Sequence, residues 1–572
     1  MQEQQQKQFG PQMPISEETH ARKYRLTGET FREAMSRVAN ALSDDPPHFY
    51  AFRDILLDQR FLPAGRVQAA AGSPRKTTAF NCFVMDTVPD SMDGIMRIAT
   101  EAAQTMRLGG GVGYDFSTIR PRGDNIISLD SKASGPISFM QIFDAVCKTI
   151  ASAGQRRGAQ MAVLRIDHPD VEEFIEAKAN TTNLTQFNVS VAVTDEFMHA
   201  VEKGSMFDLT WNGRIYKRVD ARYLWDKVMR STWDWAEPGI LFIDRINYMN
   251  NLWYCEVLAA TNPCAEQPLP PYGACLLGSF NLVKYLGPTT DPHGLAFDFA
   301  KLSADIPVVV AAMDNIIDRT LYPLKAQEKE AKNKRRMGLG YTGLANAGEA
   351  LGFVYGSEEF LTFQKKVAKL IAVECYRASA LLAKDRGPFP LFDKEKYLEG
   401  KFIKRLPEDV QALIAEHGIR NSHLTSIAPT GTISLAADNV SSGCEPVFSH
   451  FYDRTIINND GAAQVERVSD YGYRVLGVKG KTADECSVDE HLAVLLAASH
   501  WVDSAVSKTL NVGSGVTWDQ FKDIYVRAWK GKAKGCTTFR ADGKRYGILN
   551  AVKTEEGGAC FIDAETGKKT CE

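Results

Sequence analysis

AFNCFVM (79–85), MDGIMRIATEAAQTMR (92–107), GVGYDFS (111–117), PISFMQIFDAVCKTIA (136–151), MAVLRI (161–166), VEEFIEAKAN (171–180) and NVSVAV (188–193) follow one another along the chain. Short apolar runs rich in Val, Phe and Ile alternate with longer stretches whose apolar residues recur at helical spacing. Strand–helix–strand alternation predicts an α/β fold with a mainly parallel sheet wrapped by helices.

The texture continues outward. GILFID (239–244) reads as a strand, followed by a loop through NPCAEQPLPPYGACLLG (262–278) and long helices from about 298 to 382. SHLTSIAPTGTIS (422–434) reads as a strand and turn, 487–509 and 517–530 as helices, and KGCTTFR (534–540) as a late strand. Before the alternation, residues 28–60 read as helices. Thr30 can cap FREAMSRVANAL, and the polar, Pro-containing stretch 44–47 ends that segment. No repeat with a period of 20–50 residues is visible.

Composition narrows the function classes. The chain has 572 residues, 44% of them hydrophobic and 24% charged, which excludes wholesale disorder. A net charge of −3, from 67 basic against 70 acidic residues, supplies no general field for nucleic acid or anionic lipid. Apolar runs are too short to span a membrane, and the polar start MQEQQQKQFGPQMP is unlike a secretory signal. Eleven cysteines, scattered and odd in number, fit a reducing cytoplasm better than a disulfide framework.

Asn262-Pro-Cys264-Ala-Glu266 is the sharpest candidate site. In an extended segment its amide, thiol and carboxylate would project on one side. A neighbouring carboxylate raises a thiol pKa, so Cys264 is a poor thiolate nucleophile. No Cys or His partner stands at metal-ligand spacing, so no metal is expected. Homolytic chemistry suits the trio better: a thiyl radical needs no thiolate, the carboxylate takes a proton, and the amide orients a hydroxyl. A buried inert Cys in a Pro-rich loop is the bland alternative, and composition alone favours it. Cys82 and Cys275 lie in strand-like apolar runs, where inert buried thiols are usual. Their spacing says nothing about whether they meet.

Three glycine-containing segments need sorting. Gly338-Leu-Gly340-Tyr-Thr-Gly343 matches G-x-G-x-x-G, but a charged helical run precedes it where the dinucleotide fingerprint needs a strand. Close backbone packing is the better reading. Gly109-Gly-Gly111-Val-Gly113 lacks a P-loop ending and reads as a place for close backbone approach. Pro429, Thr430, Gly431, Thr432 and Ser434 form a turn whose N–H and O–H donors suit a phosphate; an ordinary strand-end turn is an equal reading.

Together these segments resemble the catalytic subunit of ribonucleotide reductase, over about residues 20–545. NPCAE resembles the family's active-site loop, RRMGLGYTGLA (335–345) its Arg-Arg-x-Gly-Leu-Gly segment, and APTGTIS (428–434) its substrate-phosphate turn. FNCFVMDTVPDSM (80–92) and AGQRRGAQMAVLR (153–165) match as well. The resemblance implies a ten-stranded α/β barrel of two antiparallel five-stranded halves, with a finger loop inside and an N-terminal helical region. The expected organisation is a flexible lead (1–20), a helical region (21–78), a catalytic barrel with a specificity site (79–553) and a mobile Cys-containing tail (554–572).

Carried over by motif, Cys264 becomes the thiyl radical that removes the 3′ hydrogen of a ribonucleotide. Glu266 accepts the 3′-hydroxyl proton and Asn262 holds the ribose hydroxyls. Cys82 and Cys275 become the dithiol that ends the cycle as a disulfide. A deep loop is expected to shield Cys264 from solvent. Thr430, Gly431, Thr432 and Ser434, with Pro429, hold the substrate phosphates, and Asn188 and Ser190 line the pocket. Asp90, Ser91 and Met92 match the site for a deoxynucleoside triphosphate effector. The loop 154–161, with Arg156, Arg157 and Gln160, matches the segment that relays effector identity. Cys560 and Cys571, separated by FIDAETGKKT, are a candidate reducing pair served by a thioredoxin-like or other dithiol reductant.

The class follows from what stands at three places. The oxygen-dependent class uses a Tyr-Tyr pair, and this sequence has none; KGCTTFR carries one Phe there. The glycyl-radical class usually lacks the carboxylate that Glu266 supplies, and KRYGIL (544–549) is a poor glycyl site. The adenosylcobalamin-dependent class remains. A homodimer is expected, with specificity control and without an ATP-sensing cone. The alternatives are the large subunit of a two-subunit metal-dependent reductase and a non-catalytic nucleotide-binding homologue.

Overall fold

The computed structural model describes residues 9–152, 156–179, 182–289, 294–457, 463–540, 542–544, 550–551, 560–562 and 569–571. Five strands of the opening alternation, Cys82–Val84, Gly111–Asp115, Gln160–Arg165, Phe187–Val193 and Gly239–Phe242, lie side by side in chain order, each parallel to the last. Parallel neighbours need long crossovers. Helices Met92–Arg107, Pro136–Thr149, Val171–Glu176 and Ala221–Trp235 lie in those crossovers.

Alternation along the strands sorts the two faces. Val112, Tyr114, Leu164, Val191 and Ile240 pack outward with helical residues such as Ile98, Phe143, Trp225 and Phe521. Met161, Val163, Ala192 and Leu241 face the other way and join the larger core, which includes the strand Leu277–Asn281 and the long helices. A strand period of two produces this division.

Two antiparallel contacts flank the parallel set. On one side Ile240 pairs with Cys536 in the strand Gly535–Arg540, which runs parallel to Thr509–Val512. On the other, Cys82–Val84 pairs with Ala274–Cys275, immediately before Leu277–Asn281, and the latter runs parallel to Gly338–Thr342. Single parallel bridges join Leu339 to Thr425 and Ile427 to Val506.

The segment 422–428 makes bridges rather than the expected full strand, because Asp503 takes its amides. The Asp503 carboxylate accepts N–H bonds from Leu424 (2.6 Å) and Thr425 (3.1 Å) and an O–H bond from Tyr376 (2.7 Å). The helix expected over 487–509 covers only Val488–His500; a capping box of Ser487 and Glu490 starts it, and Thr509 opens a strand.

The N-terminal region does not stand apart. Thr30 caps Phe31–Leu42, as the sequence implied, and Glu33 completes a capping box with it. Asp45, expected to end that segment, caps a further helix, Pro46–Leu57. Phe31, Met35 and Val38 share the large core with Phe61, Phe280 and Met313. The expected lead of 1–20 is also ordered over part of its length. Pro14–Tyr24 is helical, and the Gln12 and Met13 amides each donate to Asp438 Oδ1 at 2.7 Å.

The G-x-G-x-x-G segment is the strand Gly338–Thr342, preceded by the helix Lys325–Lys334. A Cβ on Gly340 would sit 2.2 Å from the Ser426 carbonyl oxygen, so the glycine serves backbone packing. At the end of the chain Cys560–Ile562 pairs antiparallel with Lys569–Cys571, and Cys560 is the register partner of Cys571. Among the described residues no helix is long and apolar enough to cross a membrane.

Candidate active site

The loop carrying Asn262, Cys264 and Glu266 is the tip of a short hairpin, with Ala260 opposite Leu269 and Thr261 opposite Pro268. The tip is a tight turn, where the sequence suggested an extended run. The Asn262 N–H donates to the Gln267 carbonyl (3.2 Å), the Gln267 N–H to Asn262 Oδ1 (3.0 Å), and the Ala265 N–H to the Asn262 carbonyl (3.0 Å). Ala265 adopts φ 63°, the left-handed region, to close the turn. The three side chains therefore diverge in burial. Asn262 and Glu266 are buried, and Cys264 is exposed. Cys264 thus stands open at the tip, where a solvent-shielded thiol was expected.

Glycines on the Gly111–Asp115 strand make room for the hairpin. A Cβ on Gly113 would lie 1.9 Å from the Thr261 carbonyl oxygen, which only glycine permits. Asn188, from the parallel set, donates Nδ2–H to the Pro263 carbonyl at 2.9 Å. From the opposite side Ser426 Oγ and the Ala505 N–H both donate to the Glu266 carbonyl at 2.9 Å.

Cys82 and Cys275 are direct partners across the antiparallel pair. Cys275 is fully buried and Cys82 half-buried. The position of a Cβ on Gly111 lies 3.2 Å from both Cys82 Sγ and Pro263 Cγ, so the dithiol and the hairpin tip meet over that glycine. Burial pushes the Cys275 thiol well above its usual range; the adjacent Cys82, Glu266 and Cys264 add to the rise.

Burial raises the Glu266 carboxyl to about 7, with the Asn262 amide pulling against it. Asn262 Nδ2 and Glu266 Oε2 are buried with no hydrogen-bond partner. Unsatisfied buried polar atoms are costly and rare in folded proteins. Here a donor and an acceptor of this kind sit on the same turn as an exposed thiol, ready for a ligand that carries hydroxyls.

The turn at 429–434 is built around Thr342, which sequence reasoning passed over. Thr430 adopts φ 49° and precedes the short helix Gly431–Leu435. Thr342 Oγ1 lies 3.0 Å from Thr430 Oγ1 and 2.8 Å from Ser434 Oγ, and the Gly443 N–H donates to Thr430 Oγ1 at 2.8 Å. The Thr430 and Ser434 hydroxyls thus hold the turn together. Pro429 and Gly431 are exposed, Thr432 is half-buried, and the space above Gly431 is open. Thr342 belongs to the apparent Rossmann motif, so the signal that could have found it was read only for its glycines. Ser190 is buried on the strand that carries the exposed Asn188.

The residues assigned to effector control are dispersed in their roles. Asp90 accepts hydrogen bonds from the Arg120 backbone N–H (3.0 Å) and Nε (2.7 Å), and Ser91 caps Met92–Arg107 through the Gly94 N–H. Met92 is exposed. Gln160 is buried, accepting from the Tyr114 hydroxyl (2.8 Å) and donating to the Phe143 carbonyl (3.2 Å). Residue 154 and the side chains of Arg156, Arg157, Cys560 and Cys571 lie outside the described residues.

Comparison with known proteins places the chain in a family. Residues 80–539 match the family described as ribonucleotide reductase, barrel domain. A vitamin B12-dependent ribonucleoside-diphosphate reductase of Mycobacterium tuberculosis (strain CDC 1551 / Oshkosh) is 34% identical over 548 residues, covering 89% of this chain and 75% of the relative. The protein of that name from Thermoplasma acidophilum is 32% identical, covering 92% of this chain and 69% of its own length. A ribonucleoside-diphosphate reductase subunit alpha of Chlamydia muridarum is 26% identical over 73% of this chain and 45% of that protein. With the family matched over most of its length, and with the loop thiol and the dithiol brought together, the chain belongs to the ribonucleotide reductase family.

Proposed function

We propose that this protein reduces ribonucleotides, diphosphates first among them, to 2′-deoxyribonucleotides by a thiyl-radical mechanism that depends on adenosylcobalamin. The observation that carries the reading is the meeting of Cys264, Glu266 and Asn262 with the Cys82–Cys275 pair around Gly111. The printed names of the relatives, vitamin B12-dependent ribonucleoside-diphosphate reductases, favour the cofactor and the diphosphate.

The residues present fit a large cofactor beside the tip. Cys264 is exposed at the tip, open to a group bound beside it. A Cβ on Gly239 would lie 3.0 Å from Ser190 Oγ and 3.5 Å from Thr537 Oγ1, and Thr537 is exposed. The exposed Cys264 and Thr537 would border the bound group. When bound, adenosylcobalamin supplies a carbon-centred radical by homolysis.

The chain's own residues do the rest. Cys264, as a thiyl radical, takes the 3′ hydrogen of the ribose and returns it to C3′ once the 2′ position is reduced, which regenerates the thiyl radical. Glu266, poised near neutrality, takes the 3′-hydroxyl proton as general base. Asn262 Nδ2 donates to a ribose hydroxyl. Cys82 and Cys275 give up two electrons and two protons; the 2′-hydroxyl leaves as water and a disulfide forms. Backbone donors at Gly431 and Thr432 hold the phosphates, on a turn fixed by Thr342. Register pairing of Cys560 with Cys571 favours a tail that takes over the disulfide and passes it to a dithiol reductant.

The finer architecture belongs to the same proposal. Two antiparallel contacts and two bridged gaps support a ten-stranded barrel of two antiparallel five-stranded halves. Exposed Met92, Met96, Ile127 and Leu129 offer apolar surface for a homodimer next to a deoxynucleoside triphosphate site at Asp90 and Ser91.

Anaerobic turnover of the purified chain tests the reading, with ribonucleoside di- and triphosphates, a dithiol and effector, with and without adenosylcobalamin. Deoxynucleotide formed only with the cofactor is the expected result. Turnover that needs a second subunit instead of the cofactor would overturn the class, and effector binding without any turnover would favour a non-catalytic homologue.

A further inference from the structure

A second cleft of about 370 Å³ shares no lining residue with the hairpin tip or the turn at 429–434. It opens between the segment 57–60, Lys284, the start of Phe299–Arg319 and the helix Tyr471–Leu476, with residues 9–12 at its rim. No step of the proposed reaction uses it.

Arg60, Lys284, Lys301 and Arg474 line this cleft against two carboxylates, Asp58 and Asp438. Both carboxylates are engaged. Asp438 Oδ1 receives the Gln12 and Met13 amides and lies 3.8 Å from Arg474; Asp58 lies 3.5 Å from Arg60 Nε. Arg60 is fixed from behind by Asp305, which the Tyr285 hydroxyl orients at 2.9 Å. Its Nε is buried with no hydrogen-bond partner. Lys284 Nζ touches only Tyr471 among the described residues, with a long 3.4 Å hydrogen bond to its hydroxyl and its ring 5.4 Å away. Among the described residues the Lys301 ammonium has no hydrogen-bond or ion-pair partner.

Two ammonium groups thus face a common space beside Arg60, whose guanidinium is held by Asp305 and Asp58. Four basic side chains against two carboxylates leave the wall net positive, a net-positive concave wall concentrates anions, and Lys with Arg is the usual pairing for phosphate oxygens. The volume falls within the range of small-molecule sites, about 300–1,000 Å³. We propose that this cleft binds a phosphate-bearing small molecule through Lys284, Lys301 and Arg60. The proposal stands on residues separate from the reductase site and does not depend on that reading.

Hydrogen–deuterium exchange of the full chain, titrated separately with pyrophosphate and with ADP, tests it. Protection is expected in peptides spanning 57–60 and 471–476, at ligand concentrations at least tenfold higher in the Lys284→Ala/Lys301→Ala variant. ADP acting at tenfold lower concentration than pyrophosphate would identify a nucleotide, and equal potency the phosphate group alone. A Lys284→Gln/Lys301→Gln variant, which keeps the stems and removes the charge, decides the matter if the alanine variant misfolds. Protection confined to 429–434, or unchanged in both variants, would overturn the proposal.

Discussion

Cys82 and Cys275, nearly two hundred positions apart in the chain, are register partners at the antiparallel contact between the parallel set and the Leu277–Asn281 side. Direct partners in such a ladder have Cα atoms about 4.5–5.5 Å apart, inside the span a disulfide requires. A single turnover without external reductant should therefore leave a Cys82–Cys275 disulfide, detectable as a cross-linked peptide by mass spectrometry. Cys264→Ser should abolish both turnover and the cross-link while leaving effector binding intact. A cross-link that forms equally in that variant would separate the dithiol from the thiyl chemistry.

Glu266 links stability to pH. Its folded-state value is raised by burial from 4.5 to about 7. A carboxyl raised in the fold stabilises most below its unfolded value, and that contribution is lost as pH climbs through the folded value. Stability should fall between about pH 4.5 and 7 by about 3 kcal/mol as an upper bound. Denaturant unfolding of Glu266→Gln should show a flatter profile over that window. Turnover should rise on the acid limb with an inflection near neutrality, and Glu266→Gln should lose about 10²–10⁴-fold in rate, the range for a general base.

Gly113 tests the seat of the hairpin. Its Cβ would lie 1.9 Å from a backbone oxygen of Thr261, which cannot rotate away. Gly113→Ala should cost about 1–3 kcal/mol in stability. Displacing Cys264 by even an ångström should lower turnover by about 10²-fold. Thermal unfolding and single-turnover rates measure the two effects separately.

Asn188 holds the same hairpin by one bond, from Nδ2 to the Pro263 carbonyl. Asn188→Ala should cost about 1 kcal/mol in stability. Its kinetic effect should fall mainly on kcat if Asn188 positions the tip, and mainly on KM if it binds substrate. Steady-state kinetics at saturating effector resolve the two.

Asp503 anchors the segment 422–428 by accepting bonds from Leu424, Thr425 and Tyr376. Asp503→Ala leaves those buried donors unpaired and should cost roughly 3 kcal/mol or more. Asp503→Asn keeps an acceptor and should cost less. Urea unfolding midpoints of the two variants provide the comparison.

Much of the framework was legible because local physics writes it into short stretches. Met92–Arg107 was read residue for residue, since its apolar positions repeat at helical spacing. The Thr30 cap and the glycines for close approach were equally local. The errors lie where distant groups compete. The segment 422–428 reads as a strand, but a carboxylate from residue 503 takes its amides.

The α/β alternation and the family were readable from the chain alone, and so was the choice of Cys264, Glu266, Asn262, Cys82 and Cys275 as candidates, because residue type and motif order travel with the chain. The meeting of distant segments fixed that Cys82 faces Cys275, that Cys264 is exposed while Asn262 and Glu266 are buried, and that Thr342 locks the Thr430 turn. It also decided that Lys284, Lys301 and Arg60 share one cleft. Each of these depends on strands and loops far apart in the chain meeting in a definite register, and spacing along one chain carries no record of register between two segments.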